Sequence, residues 1–143
     1  MTAMHRSGFA SIPTSQSIGD GLRLTDAFIA AAVRCAPPDN KPTLEEIAAC
    51  QSHLEAELAH LKNVRVVIAL GKIAFDVWWR VMAKRGMPVK PRPMFAHAAV
   101  YKPDGGPVVI ASYHPSRQNT NTGKLTPPMM SSVFSKAAEL IRR

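Results

Sequence analysis

The 143-residue chain is 46% apolar and 20% charged, a composition that supports one packed core and argues against a disordered segment. Its 18 Lys and Arg against 10 Asp and Glu give a net charge of +8, which suits a polyanionic partner such as nucleic acid, or an acidic surface; the same balance also serves solubility alone in small domains. No apolar run approaches the roughly 20 residues that a membrane-spanning helix takes, and the opening MTAMHRSGFASIP lacks the apolar core of a signal peptide, so the protein reads as cytosolic.

In chain order, Met1–Phe9 reads as the last turns of a helix closed by Gly8, and Ser11–Gly21, rich in Ser, Thr, Pro and Gly, as a loop. Ala27–Val33 (AFIAAAV) is a short continuous apolar run that predicts a buried parallel strand, although its alanines also suit a helix. Pro37 and Pro38 make Arg34–Pro42 a loop. Thr43-Leu44-Glu45-Glu46 has the form of a capping box, and Leu44, Ile47, Leu54, Leu58 and Leu61 then recur at helical spacing to about Lys62.

Val64–Leu70 (VRVVIAL) is the clearest strand, ended by Gly71. Lys72–Lys84 predicts a helix with Ile73, Val77, Trp78 and Val81 on its apolar side. Tryptophan at that spacing belongs more readily to a core than to a base-stacking surface, so Trp78 and Trp79 read as core. Arg85–Pro93 is a basic connection broken by prolines. Phe95–Tyr101 and Val108–Ala111 flank a turn at Pro103–Gly106, and either pair as a hairpin or send the second strand into the main sheet. Thr126-Pro127 reads as a helix cap and first residue, and Met129–Ile141 as a closing amphipathic helix. Alternating strands and helices predict an α/β sandwich with a mostly parallel sheet.

The stretch Ser112–Thr126 (SYHPSRQNTNTGKLT) carries the candidate chemistry. His114 falls where a strand ends, and ligands of open α/β sheets bind at the carboxyl ends of strands. Behind it Arg117, Gln118, Asn119, Asn121 and Lys124 form a loop rich in hydrogen-bonding groups and positive charge, with almost nothing to bury. Side chains that extrude or read single bases need such a loop. On spacing alone, a satisfied surface histidine beside a polar connection fits equally well. Cys35 and Cys50 are too few for a disulfide framework or a closed metal site; they read as small buried hydrophobes, although a shared metal is geometrically allowed.

Ala32–Cys50 (AVRCAPPDNKPTLEEIAAC), Val66–Phe75 (VVIALGKIAF) and SYHPSRQNTNTGKLT together resemble the uracil-DNA glycosylases that carry an iron–sulfur cluster. The match is to the broad-specificity branch called family 5 or type b, related to family 4, and it runs from about Gly8 to the C-terminus. It implies a three-layer α/β/α sandwich and a base-excision repair hydrolase that flips a damaged base from DNA and cleaves the bond between base and sugar. Its partner is then double- or single-stranded DNA carrying a damaged base, met by a monomer in the bacterial cytoplasm, on the nucleoid when DNA is bound.

Residue by residue, the resemblance makes His114 the catalytic histidine of a His-Pro-Ser motif. It puts Arg117, Gln118, Asn119 and Lys124 in the loop that enters the minor groove, Ser116 on a phosphate, and Asn40 and Lys41 near DNA. Cys35 and Cys50 match two of the four ligands of a 4Fe–4S cluster. The family's other cysteine pair, and its first motif, a strand and Gly-rich loop that position the attacking water, have no match here. A family asparagine for uracil recognition corresponds to Ala31. The chain is accordingly expected to be the C-terminal portion of such an enzyme, one domain over 1–143, with 1–26 a remnant helix and loop and 27–143 the α/β core. The missing strand would leave an open sheet edge, two thiolates do not complete the cluster, and activity would be impaired; a non-catalytic DNA-binding remnant is the alternative.

Overall fold

The computed structural model describes residues 2–13, 19, 21–29, 45, 54–61, 63–86, 93–103, 106–114 and 122–142. Its named elements are α1 (Thr2–Arg6), β1 (Val66–Leu70), α2 (Lys72–Lys84), β2 (Val100–Tyr101), β3 (Val108–Ser112) and α3 (Pro127–Arg142). The strands form one sheet in the order β1-β3-β2. β1 runs parallel to β3, from Val66 opposite Val108 to Leu70 opposite Ser112. β2 runs antiparallel to β3, with Val100 opposite Ile110 and Tyr101 opposite Val109. β3 therefore joins the main sheet and closes a hairpin at once, which makes the sheet mixed.

β3 is the sequence element that demands two covered faces. Its side chains alternate by the two-residue period of a strand, and Val109, Ile110 and Ala111 are all 0–1% exposed. Val109 and Ala111 join Ala69 of β1, Phe75, Trp78, Trp79 and Val81 of α2, and Leu54 and Leu58 on one face. Ile110 packs on the other face with Ala3 and Met4 of α1, Phe9, and Val133, Phe134, Ala137 and Ala138 of α3. Helices thus cover both faces, giving the α/β/α layering. Each large side chain so buried contributes about 1.5–3 kcal/mol. Phe75 anchors the first face, with Trp79, Phe95 and Tyr101 at ring-centroid distances of 5.8, 5.5 and 5.7 Å. Trp78 and Trp79 are core residues, both buried.

Local signals explain the element ends. The Thr126 hydroxyl accepts the Met129 N–H at 3.4 Å and its carbonyl accepts the Met130 N–H at 3.1 Å, so Thr126 caps α3 and Pro127 opens it. Gly8 adopts φ 86° just beyond α1, as expected of a residue closing a helix. At the other end of the molecule the Arg65 guanidinium donates to the Ile141 carbonyl at 2.7 Å, placing a cation at the C-terminus of α3.

Several expectations are revised. Phe95–Tyr101 forms a strand only at Val100 and Tyr101; a turn at 97–98, with Ala98 at φ 64°, bends the preceding chain back toward β3. Ile73 is 41% exposed, because at about 100° per residue it lies in line with exposed Arg80 and away from the buried Phe75, Trp78, Trp79 and Met82. The predicted strand Ala27–Val33 has no regular structure in residues 27–29, where Phe28 and Ile29 are each 55% exposed; residues 30–33 lie outside the described part. Of the helix expected over 43–62, Glu45 and residues 54–59 are helical, with Leu54 and Leu58 buried as the spacing requires. Among the described residues β1 has a strand on one side only. No helix among them is long and apolar enough to cross a membrane.

Candidate active site

The two parallel strands end side by side, and their ends are tied. The Gly71 N–H, just past β1, donates to the carbonyl of Ser112, the last residue of β3, at 2.7 Å. Ser112 is fully buried and satisfies its hydroxyl by donating to the Tyr113 carbonyl at 3.0 Å. The chain then surfaces at His114, which is exposed. A Cβ built on Gly71 would stand 3.1 Å from the His114 Cβ and 3.6 Å from its Cδ2, so a side chain there would crowd His114, which would have to give by a few tenths of an ångström. Gly71 holds φ 95° and ψ 162°, a region open essentially to glycine alone, and gives α2 no side-chain cap. His114 is thus the neighbour of the residue that leads into α2, whose N-terminus is the positive end of its dipole.

Tyr113 is the mounting of His114. Its N–H donates to Nδ1 of His97 at 3.0 Å, and the two rings stack with centroids 4.7 Å apart and planes at 22°. The turn that delivers His97 is itself pinned to β3: the Ala98 N–H donates to the Ala111 carbonyl at 2.8 Å, and the Ala111 N–H to the Ala99 carbonyl at 3.0 Å. Burial holds the His97 imidazole below its ordinary value of 6.5 by disfavouring the charged ring, in keeping with an Nδ1 that accepts rather than donates. The Lys124 ammonium lies over the Tyr113 ring, 4.8 Å from its centroid, a cation–π contact. Lys124 thus returns to the site from the far end of the polar loop, just before buried Leu125 and the cap of α3.

Of the candidate residues, the structure brings together His114 and Lys124, through Tyr113. Ser116, Arg117, Gln118 and Asn119, as well as Asn40, Lys41, Cys35 and Cys50, lie outside the described residues. Gly71, His97 and Tyr113 are the participants that the sequence did not single out. Gly71 reads as a simple strand stop, and His97 lies in what looks like a strand. The contact of His97 with Tyr113 is set by strand register, which no local spacing reveals.

A four-iron cluster takes about four thiolate ligands. The chain has two cysteines, and among the described residues no group of three or more His, Cys, Asp or Glu could hold a metal ion. The two cysteines present do not by themselves fit a complete cluster.

The family model described as the uracil DNA glycosylase superfamily matches residues 3–138. A type-5 uracil-DNA glycosylase of Thermus thermophilus is 47% identical over 137 residues, covering 96% of this chain and 60% of the relative. A type-5 uracil-DNA glycosylase of Pyrobaculum aerophilum is 40% identical over 131 residues, covering 92% of this chain and 54% of the relative. A type-4 uracil-DNA glycosylase of Thermotoga maritima is 30% identical over 129 residues, covering 86% and 60%. The chain spans between 51% and 60% of the length of the type-5 relatives it matches.

Proposed function

The chain belongs to the uracil DNA glycosylase superfamily, and on that premise we propose that it carries the catalytic histidine of a base-excision repair glycosylase acting on uracil or another deaminated base in DNA. The observation that supports this most is the exposed His114 at the end of the central strand, backed by Gly71 and the positive end of α2. In this reading the target nucleotide is flipped out of the stack. The bond from C1′ to the base nitrogen breaks and its electron pair leaves with the base. A water oxygen bonds to C1′, and the water's proton neutralises the departed base. His114 donates a hydrogen bond to the base oxygen on which the negative charge collects, and the first turn of α2 adds to the positive potential there.

The grip on DNA is assigned to Ser116, Arg117, Gln118, Asn119 and Lys124, with Asn40 and Lys41 close to the backbone, and the charge of +8 suits a polyanion. Cys35 and Cys50 enter the same reading as two of the thiolates that a 4Fe–4S cluster would take. The protein acts as a monomer in the cytoplasm, on the nucleoid. A basic DNA-binding chain without catalysis is the second reading, favoured by the same +8 charge, which needs no catalytic group. Base release from uracil-containing duplex under single-turnover conditions separates the two: release supports the enzyme, and binding without release supports the second reading.

A further inference from the structure

We infer that His97 is a positioning residue for His114, acting by accepting the Tyr113 backbone N–H and stacking on the Tyr113 ring. The inference rests on the excision reading for its kinetic consequence, and on geometry for the rest. Tyr113 and His114 are neighbours in the chain, so the peptide plane that Tyr113 shares with Ser112 sets the direction in which the chain leaves β3. One end of that peptide is fixed, because the Ser112 carbonyl accepts the Gly71 N–H at 2.7 Å. The other end is fixed by the 3.0 Å bond from the Tyr113 N–H to His97 Nδ1. Both of its polar groups are therefore held, one by the strand beside it and one by a side chain 16 residues away. Without the imidazole, that partly buried N–H has no acceptor and the peptide is held at the Ser112 carbonyl alone, which loosens the path of the chain into His114.

The stack extends the effect to the polar loop. The Tyr113 ring lies 4.7 Å from the His97 ring and carries Lys124 at 4.8 Å, so one side chain connects the histidine's mounting to the loop's far end. Phe95, tilted against Tyr113 at 6.3 Å, and the Ala98 and Ala111 backbone bonds leave His97 little freedom to follow if Tyr113 moves. The titratable groups linked to His97 by the contacts described are Tyr113, stacked on its ring, and Lys124 over the tyrosine ring.

The test compares His97→Phe, which keeps a ring to stack but has no acceptor, with His97→Asn, whose amide oxygen occupies the place of Nδ1. Amide hydrogen exchange at Tyr113 and single-turnover uracil release are measured on the full chain. His97→Phe should speed Tyr113 exchange and slow release by about tenfold or more, leaving duplex affinity unchanged, while His97→Asn restores both. A phenylalanine variant like wild type in both, or an asparagine variant as impaired as the phenylalanine one, overturns the inference. If the unaltered chain releases no base, the excision reading fails alone, and Tyr113 exchange decides the inference. If His97→Phe does not fold, the Tyr113 amide shift of the unaltered protein reads the same bond: it should titrate together with the His97 ring, and titration with His114 instead would contradict the role.

Discussion

Gly71 and His114 are packed so closely that the first methyl group of any side chain at Gly71 would press on the histidine, Cβ to Cβ at 3.1 Å. The contact joins the end of one parallel strand to the residue that follows the other. It explains why a glycine, unable to cap a helix with a side chain, immediately precedes α2.

Gly71→Ala should therefore act twice. The backbone at φ 95° and ψ 162° is strained for any residue with a Cβ, which costs about 1–3 kcal/mol. Denaturant unfolding should show that loss. Base release should fall further than the stability loss explains, under conditions where the variant is fully folded, because His114 is displaced. A variant as stable and as active as wild type would contradict the packing.

Ala98 offers the converse. It is an exposed residue at φ 64°, where a Cβ is unfavourable and glycine is not. Ala98→Gly should stabilise the fold by about 0.5–1 kcal/mol after the larger entropy loss of glycine on folding. A lower melting temperature would mean that the turn presenting His97 is not held as described.

How the site was legible follows from these particulars. The helix Lys72–Lys84 and the cap at Thr126 could be read from local chemistry, since periodicity and a hydroxyl before a proline act within one or two turns. The position of His114 at a strand end followed from the apolar run before it. The stack of His97 on Tyr113 could not be read, because it arises from hairpin register and from a positive φ at Ala98 that alanine does not announce. Likewise, Ala27–Phe28–Ile29 carries strand-like apolarity without strand structure, since pairing and not composition decides a strand.

The His97 ring also predicts a pH dependence of stability. Its folded value lies below 6.5, the ordinary value that applies when unfolded, so the unfolded chain binds the extra proton more readily. Stability from this group is complete above about 6.5 and is lost as pH falls through the lower folded value. Unfolding free energy should thus decline on mild acidification, and less so in His97→Asn. The same decline in both would assign it to other groups.

The polar loop predicts a salt signature. Arg117→Ala and Lys124→Ala should each weaken duplex binding and reduce the slope of log affinity against log salt by about one. For Lys124 the loss includes its contact with Tyr113, so its effect on base release should exceed that of Arg117. An unchanged slope removes the residue from the DNA interface.

The most direct measurement is single-turnover release of uracil from a duplex by this chain and by His114→Ala, with duplex affinity measured on the same samples. The unaltered chain should release uracil, and His114→Ala should lose on the order of 10²–10³-fold in release with affinity unchanged. Equal loss of release and affinity, or release that survives the substitution, would contradict the role assigned to His114.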